Sequence, residues 1–565
     1  MRVLVRVFCG VMLGAAVAAG QTAAPSLILH NARIYIVDSA NTTAGAIALQ
    51  GDRIVRVGSD VDILKLRSSS TRVIDLGGAT VVPGLHDAHG HFTGLGAFLQ
   101  SLNLRGTTSY QQIVDRVRER VAMARPGEWI VGRAWDQNDW TDTRFPTHDA
   151  LSAVSPNNPV YLTRVDGHAG LANRAAMTLA ALTAATPDPS GGRIIRGVRN
   201  EPTGVLIDNA QGLVSSRIPS VSDRQLEEQI LLADQEMRRL GITTVHDAGT
   251  DSRTVDAYMR LIDAGRLKTR LYVMRRGSLA SLQPFFDKGP VVDYGRHHMV
   301  VRAIKIVADG ALGSRGAAML EPYDDEPGSR GLLTTTPEEI YAQTLAASKA
   351  GFQTAVHAIG DRANRIVLDI FERVQREVPG ARALRMRVEH AQILDANEIP
   401  RFAALGVIAS MQATHATSDM PWVPARIGRA RMEEGAYVWR KILATGAVIA
   451  NGSDFPVEEP DPMRGLYAAI TRQDASGQPR DGWMADQRMT RQEALVSFTR
   501  TAAFAAHMES LTGSLESGKL ADLVVLSSDV MRVPPLDILK TTVRMTIVGG
   551  EIVYDRTAST AQRTR

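Results

Sequence analysis

Thr80-Val-Val-Pro-Gly-Leu-His-Asp-Ala-His-Gly-His91 is an apolar run that closes on two histidines one residue apart. Residues i and i+2 of a strand point to the same side, so the imidazoles of His89 and His91 can grip one ion. Working outward, seven more apolar runs, six of them ending in a polar residue, read as strands: Ile242–Asp247, Leu271–Arg275, Ala303–Asp309, Gln353–His357, Arg387–His390, Gly406–Met411 and Ala447–Asp454. From Ile242 they recur every ~25–50 residues with helical stretches such as Glu338–Lys349, Ala363–Glu377 and Ala396–Leu405 between them, the rhythm of a (β/α)8 TIM barrel. The first gap is about 150 residues, so an insertion of the order of 110 residues, covering about 105–219, follows strand one.

Outside the barrel the texture is different. Short strands bounded by Gly, Asp, Asn or Ser fill 26–82 and return only at 510–555. Neither stretch buries a core alone, so the two ends are expected to form one composite β-sandwich around a barrel at 83–509. A tandem pair of small β units is the alternative. The fold class is α/β.

The chain has 565 residues, 44% apolar and 22% charged, which places it among globular proteins and excludes collagen-like, coiled-coil and wholly disordered readings. Lys and Arg total 64 against 60 Asp and Glu, with no block of like charge, and aromatics are only 5%. Nucleic acid is therefore not an expected partner. Met1-Arg-Val-Leu-Val-Arg6, the apolar Val7–Ala19 and Gly20 read as a secretory signal over 1–20, which predicts a secreted or periplasmic protein. The apolar run is shorter than the ~20 residues of a spanning helix, so no membrane association is expected after cleavage. Cleavage also removes Cys9, the only cysteine, and with it disulfide and thiolate chemistry.

Histidines 89, 91, 246, 357, 390 and 415 lie at or just after strand ends. In a closed parallel barrel all strand C-termini open on one face, so residues distant in sequence converge there. His357 and His390 are one βα unit apart, and Asp454 two units further. An acidic residue ending so apolar a strand as Val448–Asp454 needs a partner, which a metal or its water supplies. Lys305 sits among apolar strand residues; it either pairs with a carboxylate such as Asp309 or Asp247, or loses its proton and captures carbon dioxide as a carbamate. His168, His246 and Arg315 are candidates to orient substrate or stabilise an oxyanion. Trp135, with Asp136 and Trp140, is a candidate pocket lining, with packing as the alternative in each case.

Pro83–His91, Lys305 within Ile304–Arg315, His357-Ala-Ile-Gly-Asp361, Glu389-His-Ala-Gln392, Gly452-Ser-Asp-Phe-Pro456 and Gly518-Lys-Leu-Ala-Asp-Leu-Val-Val525, in this order and with Asp166-Gly-His168 in the insert, together resemble the amidohydrolase superfamily. The likeness is to its amidohydrolase-3 branch, which includes N-substituted formamide deformylases. It implies one or two divalent ions, with His89 and His91 on the more buried one, His357 and His390 on the second, Lys305 as N6-carboxylysine bridging them, and Asp454 as both ligand and proton shuttle. Imidazole and carboxylate ligands without thiolate suit Zn²⁺ best, with Fe, Mn, Ni or Co as alternatives. Such an ion lowers the pKa of water from ~15.7 towards ~7 and polarises a carbonyl. The expected activity is hydrolysis of a C–N bond in an amide, formamide or cyclic amide. An ester or lactone hydrolase on the same site, and a non-catalytic periplasmic metal- or ligand-binding protein, are the alternatives. A homo-oligomer is compatible with this reading.

Overall fold

The structure is a computed structural model describing residues 24–557. The expected leader over 1–20, Cys9 included, lies outside the described residues. Eight parallel strands form the central sheet: β1 (Leu85–Gly90), β2 (Ile242–Thr250), β3 (Arg270–Arg275), β4 (Met299–Val307), β5 (Gln353–Ala358), β6 (Arg387–His390), β7 (Ile408–Gln412) and β8 (Ile449–Gly452). All eight expected strands are present and hydrogen-bonded in sequence order. β5 and β6 are buried along their whole length, as strands covered on both faces must be.

The sheet closes where β8 meets β1. Asp454 N–H donates to His89 O at 2.7 Å, and Asp87 accepts from Ser453 N–H at 3.1 Å and Ser453 Oγ at 2.6 Å. The seam has no room for a side chain at Gly452, where a Cβ would stand 2.5 Å from His89 N. The helices between strands follow ordinary capping rules. Ser222 and Gln225 form a reciprocal capping box at the start of Asp223–Leu240, and Gly241, at φ 77°, ends that helix in a left-handed turn leading into β2. Thr336 and Glu339, with Pro337, start Pro337–Lys349 in the same way.

Strands from both ends of the chain complete one mixed eight-stranded sheet. Leu523–Leu526 pairs antiparallel with Arg72–Pro83, from Leu523 opposite Pro83 to Leu526 opposite Thr80. One apolar cluster crosses this seam, joining Leu29, Ile47 and Val81 to Leu523, Val525 and Ile547. The sheet is bolted to the barrel by Arg270 of β3, whose guanidinium grips Asp522 at 2.7 and 3.0 Å with both side chains buried.

The insert builds a six-stranded sheet between Leu102 and Asp208, with its own core around Trp135, Leu162, Leu171 and Val205. It reaches the barrel mouth, where His168 and Asp208 border the central cavity. Among the described residues no helix is long and apolar enough to cross a membrane.

Candidate metal centre and its cavity

At the C-terminal mouth of the barrel, imidazoles from several strands surround one carboxylate. Asp454 Oδ1 lies 3.0 Å from His91 Nε2 and 3.6 Å from His89 Nε2, while Oδ2 lies 3.8 Å from His415 Nε2 and 4.0 Å from His390 Nδ1. Donor atoms of His89, His390 and Asp454 all fall within 4.8 Å of one another. His357 joins through His390, their ring centres 4.6 Å apart, and His168 stands 4.9 Å beyond His357. His390 and Asp454 both hold positive φ, 76° and 58°. Such backbone strain in non-glycine residues persists only where the surroundings dictate it, and it clusters at functional sites.

Proton positions follow from the partners. Glu389 accepts from His89 Nδ1 and is gripped by Arg387, whose Nε is 2.7 Å from Oε1 and Nη2 3.0 Å from Oε2. Burial pushes the Glu389 carboxyl up, but Arg387 and His89 outweigh it and hold it well below the usual range. With Glu389 ionised, His89 must carry its proton on Nδ1, leaving the Nε2 lone pair towards the cluster. Gln412 Nε2 donates to Ser410 O, so its amide oxygen faces His390 Nδ1 at 2.7 Å and leaves Nε2 of that ring as the free acceptor. Burial lowers the pKa of His89 to about 4, and burial with neighbouring positive charge takes His357 and His390 well below the ordinary histidine value. Burial pushes the Asp454 carboxyl up, but its neighbours, the hydrogen bond from His91 first among them, hold it well below the usual range. The free Nε2 lone pairs of His89 and His390 beside the Asp454 carboxylate are a donor set that fits a divalent cation such as Zn²⁺.

Lys305, on β4, is buried, with Nζ 3.0 Å from His89 Nε2. Burial lowers its pKa to about 8 despite the pull of Glu389 and Asp454. Neither alternative partner reaches it. Asp309 accepts the backbone N–H groups of Ala318, Ile359 and Gly360, and Asp247 is engaged by Phe92 N–H, Thr250 and Tyr258.

Of the four expected substrate contacts, only His168 borders the cavity. Its Nδ1 is 2.6 Å from Asp208 Oδ1. His246 instead turns into the barrel interior, buried, with Nδ1 3.0 Å from Arg387 Nη1. It shares the face of β2 with Ala248, which lines the cavity, but sits two residues deeper, below the mouth. Arg315 pairs with Asp325 at 2.9 and 3.1 Å, away from the cavity. Trp135 is a core residue of the insert, its Nε1 donating to Leu162 O at 2.9 Å and its ring stacked on Trp140. Asp136 does line the cavity, salt-bridged to Arg164.

Sequence reading left several partners without a role. Glu389, Arg387 and Gln412 orient the histidines. Gln392 Nε2 donates to His415 Nδ1 at 3.0 Å, so His415 holds its proton on Nε2, a buried donor with no hydrogen-bond partner at the cavity wall. The His-Ala-Gln run containing Gln392 was the available signal; the pairing itself was not.

A barrel whose mouth gathers these donors is the architecture of the metal-dependent amidohydrolases, and residues 72–554 match the amidohydrolase family, to which the chain belongs. Among its relatives are the Protein LONG AFTER FAR-RED 3 of Arabidopsis thaliana, 33% identical over 94% of this chain and 91% of the relative. An N-substituted formamide deformylase of Arthrobacter pascens is 29% identical over 94% of this chain and 99% of its own. A metal-dependent hydrolase of Pyrococcus furiosus, known by its crystal structure, superposes with a TM-score of 0.70 at 26% identity, covering 90% of this chain and all of that one.

Proposed function

We propose that this protein hydrolyses a C–N bond of an amide, formamide or cyclic amide, with His89, His91, His357, His390, Asp454 and carboxylated Lys305 holding one or two divalent ions, Zn²⁺ first among them. The observation that carries this is the gathering of His89, His91, His390 and His415 around the Asp454 carboxylate, opening on a cavity at the barrel mouth. The deformylase activity of the Arthrobacter relative supports amide over ester chemistry. The bound ion would supply water activation and carbonyl polarisation.

The chain's own residues supply the rest. Asp454 accepts the proton of the attacking water and hands it to the departing nitrogen, which must be protonated because an amide anion is a very poor leaving group. His415 Nε2–H, held by Gln392 and otherwise unpartnered, is placed to donate to a substrate oxygen. Glu389 keeps His89 in the tautomer that presents Nε2. The insert, through His168, closes one wall against water.

Metal analysis paired with Asp454→Asn tests this. The expected result is an N-formyl or N-acyl amine hydrolysed by the metal-loaded protein, with turnover abolished and metal retained in the variant. Unchanged turnover in D454N across an amide and ester panel would remove the assigned role. An unmodified Lys305 ammonium in a metal-replete, active crystal would remove the carbamate.

A further inference from the structure

The cavity over the histidine cluster has two lobes that meet at His168, His357, His390 and Asp454. The narrower, about 140 Å³, runs beneath Trp422 and carries the carboxylates of Asp139, Asp419 and Glu458. The wider, about 540 Å³, has Arg133 and Arg276 in its wall. They come from unrelated parts of the fold, Arg133 from the insert strand Ile130–Trp135 and Arg276 from the residue after β3.

The carboxylates of the wider lobe are already engaged. Asp166 binds Arg164, Asp208 binds His168, and Asp454 is surrounded by imidazoles. Neither guanidinium of the lobe forms an ion pair among the described residues. Arg133 reaches only Val165 O, at 3.5 Å, and its Nε is buried without a hydrogen bond. Arg276 is exposed to the lobe, and only its backbone N–H is bonded, to Thr250 O. Burial depresses both guanidinium pKa values, and no carboxylate opposes it at Arg276. Lys305 borders the same lobe, but its ammonium already meets His89. A partly buried cation without counter-charge, as at Arg133 with its unbonded Nε, is costly unless a ligand brings the anion, and the open Arg276 is free to close on the same group. The planar fork of arginine matches a carboxylate bidentately, and a carboxylate is the anionic group that an N-acylated amino acid carries.

We propose that the wider lobe receives a substrate carboxylate on Arg133 and Arg276, so that the amides cleaved here carry a free carboxylate group. The substrate class rests on the hydrolytic reading above. With the charged end in the wider lobe and the scissile bond at the junction, the uncharged arm lies beneath Trp422, in a lobe whose arginines are already engaged, Arg105 by the carbonyls of Pro456 and Val457 and Arg164 by Asp136 and Asp166.

The test compares N-formyl-phenylalanine with N-formyl-phenylalaninamide on the full zinc-loaded chain. Charge-assisted hydrogen bonds of this kind predict a kcat/KM preference for the acid of about 10- to 100-fold. In R133M and R276M that preference should fall towards one, chiefly through KM for the acid, and R276K should recover part of it. Calorimetric titration with N-formyl-phenylalanine is the second arm, and weaker binding to both variants is expected. Equal selectivity or preference for the amide in the wild type, or selectivity and acid binding retained in both variants, would overturn the proposal, as would no binding of the acid at all. Arginine-dependent binding of the acid with neither compound turned over would instead sink the hydrolytic reading and leave the carboxylate site standing.

Discussion

Replacing Glu389 by Gln changes one oxygen to NH₂ at the centre of a fully buried triad. In the native site Oε2 accepts from both Arg387 Nη2 and His89 Nδ1, while Oε1 lies 2.7 Å from Arg387 Nε as an ion pair. The amide can satisfy only one side. With its oxygen at the Oε2 position, the NH₂ faces Arg387 Nε, donor against donor. With its oxygen at Oε1, the NH₂ faces His89 and forces the other tautomer, which puts a proton on Nε2 where a metal lone pair is needed. Loss of such an orienting partner lowers metal affinity by about 10- to 100-fold, or ~1.4–2.8 kcal/mol. The unneutralised Arg387 adds a stability loss of up to ~3–5 kcal/mol, softened by its remaining bonds to Ala88 O and Ser410 Oγ. Zinc affinity is measured by competition with a chromophoric chelator, beside a thermal melt of the metal-free protein. A folded E389Q that binds zinc with wild-type affinity would refute the orienting role and the tautomer deduced from it.

Asp522→Ala should destabilise the protein by ~3–5 kcal/mol, because it strands the Arg270 guanidinium at 1% exposure and frees Gly549 N–H; replacing the pair together with apolar residues should recover most of the loss in urea unfolding. Glu493, held down to about 2 by Arg440 and the Thr490 cap, has a folded pKa below its ordinary 4.5. Its stabilisation is therefore complete above about pH 4.5 and is lost as pH falls towards 2, so Glu493→Gln should flatten that acid limb when melting temperature is followed against pH, and an unchanged limb would exclude the pair as its source. Exported protein is expected to begin near Gln21 on N-terminal sequencing; a mature chain beginning at Met1 would exclude the leader.

The barrel was legible because its strands are short, apolar and evenly spaced, and because parallel packing on both faces leaves a pattern that does not depend on partners. That the two ends combine was legible for the opposite reason, since each half is too small to bury its own apolar face; the sequence suggested a sandwich, and the strands of both ends are hydrogen-bonded into one sheet. The helix starts at Ser222 and Thr336 carry their caps in the local sequence. His89, His357, His390 and Asp454 could be singled out because strand ends of a closed barrel must converge.

Residues whose role depends on what lies across the barrel were not legible. His246 lies near the end of an apolar run as His357 does, yet it sits two residues below the cavity-lining Ala248 and meets Arg387 inside the barrel. Trp135 has the composition of a pocket wall, but it is sealed inside the insert. Arg315 sits in a motif beside Lys305 and is spent on Asp325. Conversely Glu389 owes its importance to His89, 300 residues away.

Chain order and apolar periodicity by themselves determined the barrel, the shared terminal sheet, the insertion and the group of strand-end donors, since each is a local pattern or a closure requirement. Tertiary structure alone decided which lone pair each histidine offers, which arginines stay unpaired in the cavity and which motif residues are structural. Those properties depend on distances between side chains from different elements, and short-range polar interactions change character over an ångström or two that no spacing in sequence records.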